Sequence, residues 1–320
     1  MQNKVILFSN QTNKNIEKSL INRGLFHFTY IFCDTYEHFV QEIKSARETC
    51  EKIIVSCKNE LIDKLLDEVK KEDDQFSVLF EQAVKLEERT TFRKMLFVPS
   101  ELDAEKFLDV FLEKKEVFSC SIFGKTVRTI EEKFKDFDCD FKIFSENKFL
   151  HIVKFSKAVE EEKLKEAFGD GVFSFEGESL QGACEKILKE KNLSFAVAEG
   201  ITAGGVSCKL AGNLGLKQSV VLLNDEGFEQ VQIDKPFLEN NGTVSKETSY
   251  EVSKNLLINA DIALSVLGFD CDAGRTFVAV GNKDEIHVFS SVFYGNRQQI
   301  VENAICFGLF KLLAFIKEKY

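Results

Sequence analysis

A chain of 320 residues with a formal net charge of −10 has room for two or three domains with real cores. Its acidic balance counts against nonspecific binding to nucleic acid or to an anionic membrane surface. The first apolar run, Met1 to Phe8, is too short for a signal peptide and no window reads as a membrane span, so a cytoplasmic location is expected.

In chain order, short β-branched runs alternate with amphipathic segments. Strands are predicted at Val5 to Phe8, Phe28 to Cys33, Lys52 to Ser56 and Met95 to Val98. Helices are predicted at Asn15 to Arg23, Tyr36 to Ser45, Leu61 to Lys71 and after Pro99. That alternation indicates βαβ units on a largely parallel sheet, an open α/β domain over residues 1–114. A small α+β region, 115–168, follows, with strands at Val117 to Phe123 and Phe149 to Phe155 and helices at Val127 to Phe137 and Ala158 to Phe168. Residues 169–320 are read as a third, α/β/α domain. Nine cysteines contain no C-x-x-C pair and no histidine at ligand spacing. They point to reduced thiols in a core, with no metal and no cofactor expected.

The most informative stretch runs from Ser194 to Gly205, SFAVAEGITAGG. An apolar strand ends at the buried-looking carboxylate of Glu199, then turns through glycines into a helix at Val206 to Ala211. A helix N-terminus carries about half a positive charge and free N–H groups, so such a turn can cradle an anion without a basic side chain. The same turn also serves ordinary strand-to-helix packing.

Ala198, Glu199, Thr202 and Gly204 stand in register with the alanine-glutamate-serine-cysteine-threonine-glycine-glycine signature of the CinA (competence/damage-inducible) family. The lead-in Gly169 to Phe173, the segment Asn241 to Glu247, the strands Ala260 to Val266 and Thr276 to Val280, and the loop Gly295-Asn296-Arg297 resemble that family's C-terminal domain in the same order. More faintly, Met95 to Leu102 resembles a loop of its molybdopterin-binding-like N-terminal domain. Ser9-Asn10-Gln11 and Cys57-Lys58-Asn59 stand where that domain has glycine turns, so this half reads as degenerate.

The resemblance implies nicotinamide-mononucleotide amidase activity, in which a serine attacks a carboxamide. Here Gly200 holds the serine position and Ile201 that of the cysteine. Leu222, Leu223 and Gly227 replace a tyrosine, a serine and a lysine, while Asn224 and Arg297 are kept. A loop of the family becomes Leu267 to Asp272, whose Asp270 and Asp272 read as a solvated turn. Thr202 is the nearest substitute hydroxyl, although a helix-capping role suits it better. Cys208 reads as a small buried residue.

The expectation is a catalytically impaired or inactive family member that retains a binding or scaffolding role. The alternative is an active amidase with a rearranged site around Thr202. Glu199, Gly204, Gly205, Asn224 and Arg297 are the candidate ligand-binding residues, for a small nucleotide such as nicotinamide mononucleotide. Glu199 and Arg297 are expected to pair across the domain. The resemblance also implies a homo-oligomer, with the apolar helix Ile300 to Ile316 as either its surface or a core element.

Overall fold

The computed structural model describes residues 2–8, 14–58, 60–61, 64, 95–99, 105, 108, 112, 115–269 and 273–320. It divides into two compact units. The first is Met1–Phe118 with Phe137–Lys142 and Lys154–Ala158; the second is Ser119–Asp136, Ile143–Val153 and Val159–Tyr320.

The first unit carries β1 (Gln2–Phe8), α1 (Lys14–Ile21), β2 (Thr29–Cys33), α2 (Tyr36–Thr49), β3 (Cys50–Cys57) and β4 (Met95–Pro99). These strands form one sheet in the order β2-β1-β3-β4, parallel throughout. The apolar runs of β1 and β3 are long because a parallel sheet is covered on both faces. Ile6, Ile53 and Val55 pack with Phe39 and Ile43 of α2, while Val5, Leu7 and Ile54 pack with Ile16 and Leu20 of α1. Thr35 starts α2 by accepting the His38 N–H at 3.3 Å. The sequence-predicted α/β alternation is therefore present from β1 to β3, and β4 joins the same sheet. Most of the predicted helix Leu61 to Lys71, the segment after Pro99, and the Ser9-Asn10-Gln11 turn lie outside the described residues.

A second sheet, in the order β6-β7-β5-β8, is built from β5 (Phe118–Phe123), β6 (Phe141–Ser145), β7 (Leu150–Phe155) and β8 (Val172–Ser174). Helices α3 (Val127–Phe134) and α4 (Glu161–Phe168) accompany it, and Phe134 and Phe168 stack with ring centroids 5.7 Å apart. The strands β6 and β8 have no sequence-predicted counterpart. Both are short, and β8 follows a Gly-Asp-Gly turn that reads locally as loop.

The rest of the second unit is α5 (Leu180–Glu190), β9 (Phe195–Glu199), α6 (Gly205–Leu210), β10 (Leu216–Val221), α7 (Asp225–Gln230), α8 (Lys235–Asn241), α9 (Lys246–Leu256), β11 (Ile262–Gly268), β12 (Ala273–Gly281), β13 (Ile286–Tyr294) and α10 (Arg297–Lys319). The sheet order is β10-β9-β11-β12-β13, with β10, β9 and β11 parallel and β12 and β13 antiparallel. Period-two alternation divides β9 between two cores. Phe195 and Val197 face a cluster with α5, α6 and α10, while Ala196 and Ala198 face one with α7, α8 and α9. This is a three-layer α/β/α arrangement, and the chain as a whole is an α/β protein.

Helix α10 is long and apolar enough to cross a membrane by length and composition, where the sequence patterning predicts no span. Its residues Ile300, Ala304, Leu309 and Leu312 are buried in the core. Its apolar character is that of a central helix laid along a sheet. It starts with a capping box, Asn296 accepting the Gln299 N–H and the Gln299 side chain accepting the Asn296 N–H.

Candidate functional site

The parallel strands β9, β10 and β11 end together, and the glycine turn leaves β9 at that edge. In open α/β sheets, ligands bind outside the carboxyl ends of the strands. Gly200 N–H donates to the Val266 carbonyl at 2.8 Å, tying the start of the turn to β11. Ala203 and Gly204 then take positive φ, 46° and 92°, which reverses the chain into α6. Glycine adopts that conformation without penalty, whereas Ala203 is held there at a cost of about 1–2 kcal/mol.

The anion position in front of α6 is filled by the protein itself. Glu199 is fully buried. One carboxylate oxygen accepts the Val206 N–H at 2.9 Å; the other accepts the Ser207 N–H at 2.8 Å and the Ser207 hydroxyl at 2.6 Å. Ser219 on β10 extends the chain by donating to Ser207 Oγ at 2.7 Å. The helix amides therefore hold an internal carboxylate, and the cradle read from the sequence is closed at those two groups. Ser207 and Ser219 were missed as members of this network. The helical position of Ser207 was visible, but its meeting with Ser219 depends on how α6 packs beside β10.

Several expectations need correction. Thr202 does not cap α6: the N-cap is Gly204, without a side-chain cap, and Thr202 Oγ1 is buried with no hydrogen-bond partner among the described residues. Glu199 takes over the capping role from the preceding strand. Nor does Glu199 pair with Arg297, because its oxygens are engaged by Val206 and Ser207 while Arg297 is exposed at the first turn of α10. Cys208 is exposed rather than buried. Ser207 occupies the inward face of α6, and the next residue is rotated by about 100° toward solvent.

Asn224 is exposed and caps α7, accepting the Gly227 N–H at 3.0 Å. Leu222 is buried and Leu223 exposed. At Gly227 a Cβ would lie 2.7 Å from the Val221 carbonyl oxygen, so this backbone leaves no room for any side chain there. Gly200 is different. Its Cβ would meet Leu267 at 3.5 Å, ordinary contact distance, and its φ is not positive. A serine would fit at 200, whereas a lysine at 227 would require the backbone to move. Asp270, Cys271 and Asp272 lie outside the described residues, as does Asn59. Among the described residues, no group of three or more His, Cys, Asp or Glu side chains is placed to hold a metal ion.

Residues 177–316 match the family model described as CinA C-terminal domain. That similarity to the CinA C-terminal domain extends over somewhat less than half of the chain. The chain is also similar to proteins named putative competence-damage inducible protein. That of Finegoldia magna is 28% identical over 152 residues, 45% of this chain and 37% of that protein. That of Bacillus cereus strain AH187 is 27% identical over 212 residues, 62% of this chain and 52% of that protein. That of Clostridioides difficile is 31% identical over 162 residues, 44% and 39% respectively. The chain thus spans about half or less of these curated relatives. A solved structure of a competence-damaged protein (CinA) superfamily protein from Klebsiella pneumoniae shows 21% identity, covers 43% of this chain and 96% of that one, and has a TM-score of 0.41. A second family model, described as Sperm tail, matches residues 34–85, which here include α2 and β3 of the first unit's sheet.

Proposed function

We propose that this chain is a catalytically impaired CinA-family relative of the nicotinamide-mononucleotide amidases, one that keeps the C-terminal fold and acts by binding or scaffolding. The observation that supports this most is at the end of β9. Gly200 offers no attacking atom, and Thr202 Oγ1, the nearest substitute, is buried with no group among the described residues in hydrogen-bond reach to activate it. Nucleophilic catalysis by a hydroxyl needs an adjacent base. Loss of one member of a catalytic unit removes most of the rate by itself.

The reading takes a small nucleotide as ligand, with nicotinamide mononucleotide the first to try. Asn224 and Arg297, both exposed, are the polar side chains offered to it. Glu199, Gly204 and Gly205 shape the turn beneath. It also takes the protein as a cytoplasmic homo-oligomer of three domains, the first a degenerate molybdopterin-binding-like domain.

Incubation with nicotinamide mononucleotide, with ammonia release followed beside a Gly200→Ser variant, tests this directly. The expected result is no turnover by the wild type, with stabilisation by the nucleotide in a thermal shift. Turnover by the wild type would overturn the reading and favour the rearranged site around Thr202. Turnover by the variant alone would show that the pocket still accepts the substrate.

A further inference from the structure

Away from the turn, α10 and β13 enclose a lysine in aromatic rings. Lys311 Nζ lies 4.2 Å from the ring centroid of Phe289 on β13 and 5.6 Å from those of Phe307 and Phe310 on its own helix. The rings are themselves braced, Phe310 stacking on Phe123 at 4.5 Å and Phe307 meeting Phe293 edge-on at 5.8 Å. Among the described residues, Lys311 makes no hydrogen bond and no ion pair. It is half-buried, not sealed.

We propose that Lys311 is an acyl-accepting lysine: its ε-amine, held among three phenylalanine rings with no ion pair among the described residues, takes an acyl group from an acyl phosphate. The neutral amine attacks the acyl carbon with its lone pair. A nitrogen–carbon bond forms, the carbon–oxygen bond to phosphate breaks with its electron pair going to phosphate, and the extra proton on nitrogen passes to water. The product is a neutral amide, which suits an apolar surround better than an ammonium does. An acyl phosphate is small and already activated, so the step needs no dedicated pocket and no redox partner.

Two effects oppose each other at this amine. Burial favours the neutral form and lowers the pKa, while the rings and Asp170, the nearby charge, favour the ammonium. Burial is the larger, so the net shift is downward. On the β13 side the other titratable group is His287, which packs on Phe289 and Phe315 and is tied to Glu285 at 2.9 Å. Each unit of pKa lost raises the neutral fraction about tenfold at neutral pH.

The test is limited acetylation of the full chain with acetyl phosphate at pH 7, with each lysine's rate read by peptide mass spectrometry. Lys283, exposed, and Lys254, ion-paired to Glu251 at 2.8 Å, are the internal standards. Lys311 should react at least about threefold faster than Lys283, with Lys254 slowest. Phe307→Glu places a carboxylate one turn before Lys311 and should cut its rate severalfold. The proposal is overturned if Lys311 reacts no faster than Lys283 in the wild type, or if Phe307→Glu leaves its rate unchanged.

Discussion

Glu199 and Ser207 are joined twice, the carboxylate accepting both the backbone N–H at 2.8 Å and the hydroxyl at 2.6 Å of the same residue. With the Val206 N–H at 2.9 Å, this makes a strand residue the cap of the helix that follows it. Glu199→Ala would leave these donors buried without an acceptor. It should destabilise the second unit by about 2–4 kcal/mol, read as a shift in urea midpoint. Glu199→Gln keeps one acceptor oxygen and should cost less. An unchanged midpoint for the alanine variant would show that the helix start is held some other way.

Two glycines of the site should respond in opposite ways to an added side chain. Gly200→Ser should stay within about 0.5 kcal/mol of the wild type, because its Cβ makes only ordinary contacts. Gly227→Ala should cost about 1–3 kcal/mol, because its Cβ would sit 2.7 Å from the Val221 carbonyl oxygen. Thermal unfolding of the pair decides it, and equal losses would contradict the distinction.

His151 gives the second unit a pH dependence. It is fully buried on β7, with Nδ1 2.8 Å from Ser145 Oγ and Nε2 2.9 Å from the Lys125 carbonyl oxygen. A neutral ring donating from Nε2 and accepting at Nδ1 satisfies both partners. Burial lowers its pKa, with the backbone hydrogen bonds a smaller opposing effect. A depressed histidine contributes stability that is fully present above the unfolded value, about 6.5, and is lost as pH falls below it toward the folded value. Wild type and His151→Gln should therefore differ most in urea midpoint near pH 7.5 and converge toward pH 5. A difference that widens on acidification would reverse the sign of this account.

Thiol reactivity should follow burial. Cys208 is exposed on α6, whereas Cys184 is sealed in the core with its Sγ donating to the Leu309 carbonyl at 3.3 Å. Burial pushes the Cys184 thiol far above its ordinary range. Brief alkylation with iodoacetamide in native buffer should label Cys208 and spare Cys184. Labelling of both at similar rates would mean that the helix pair α5 and α10 opens readily.

The amino-acid sequence by itself determined the α/β character, the parallel β1 to β4 sheet and the strand–turn–helix at Phe195 to Leu210, because these rest on local periodicity and on turn residues. It also carried the departures at Gly200, Leu222 and Gly227, since a missing side chain is legible without coordinates. Tertiary structure alone decided which groups meet. The engagement of Glu199 by α6 rather than by Arg297, the burial of α10 and the ring of phenylalanines around Lys311 all bring together residues distant in the chain or set by a single rotation about a helix. Hydrogen bonding and burial act through space at a few ångströms, and sequence separation does not encode those distances.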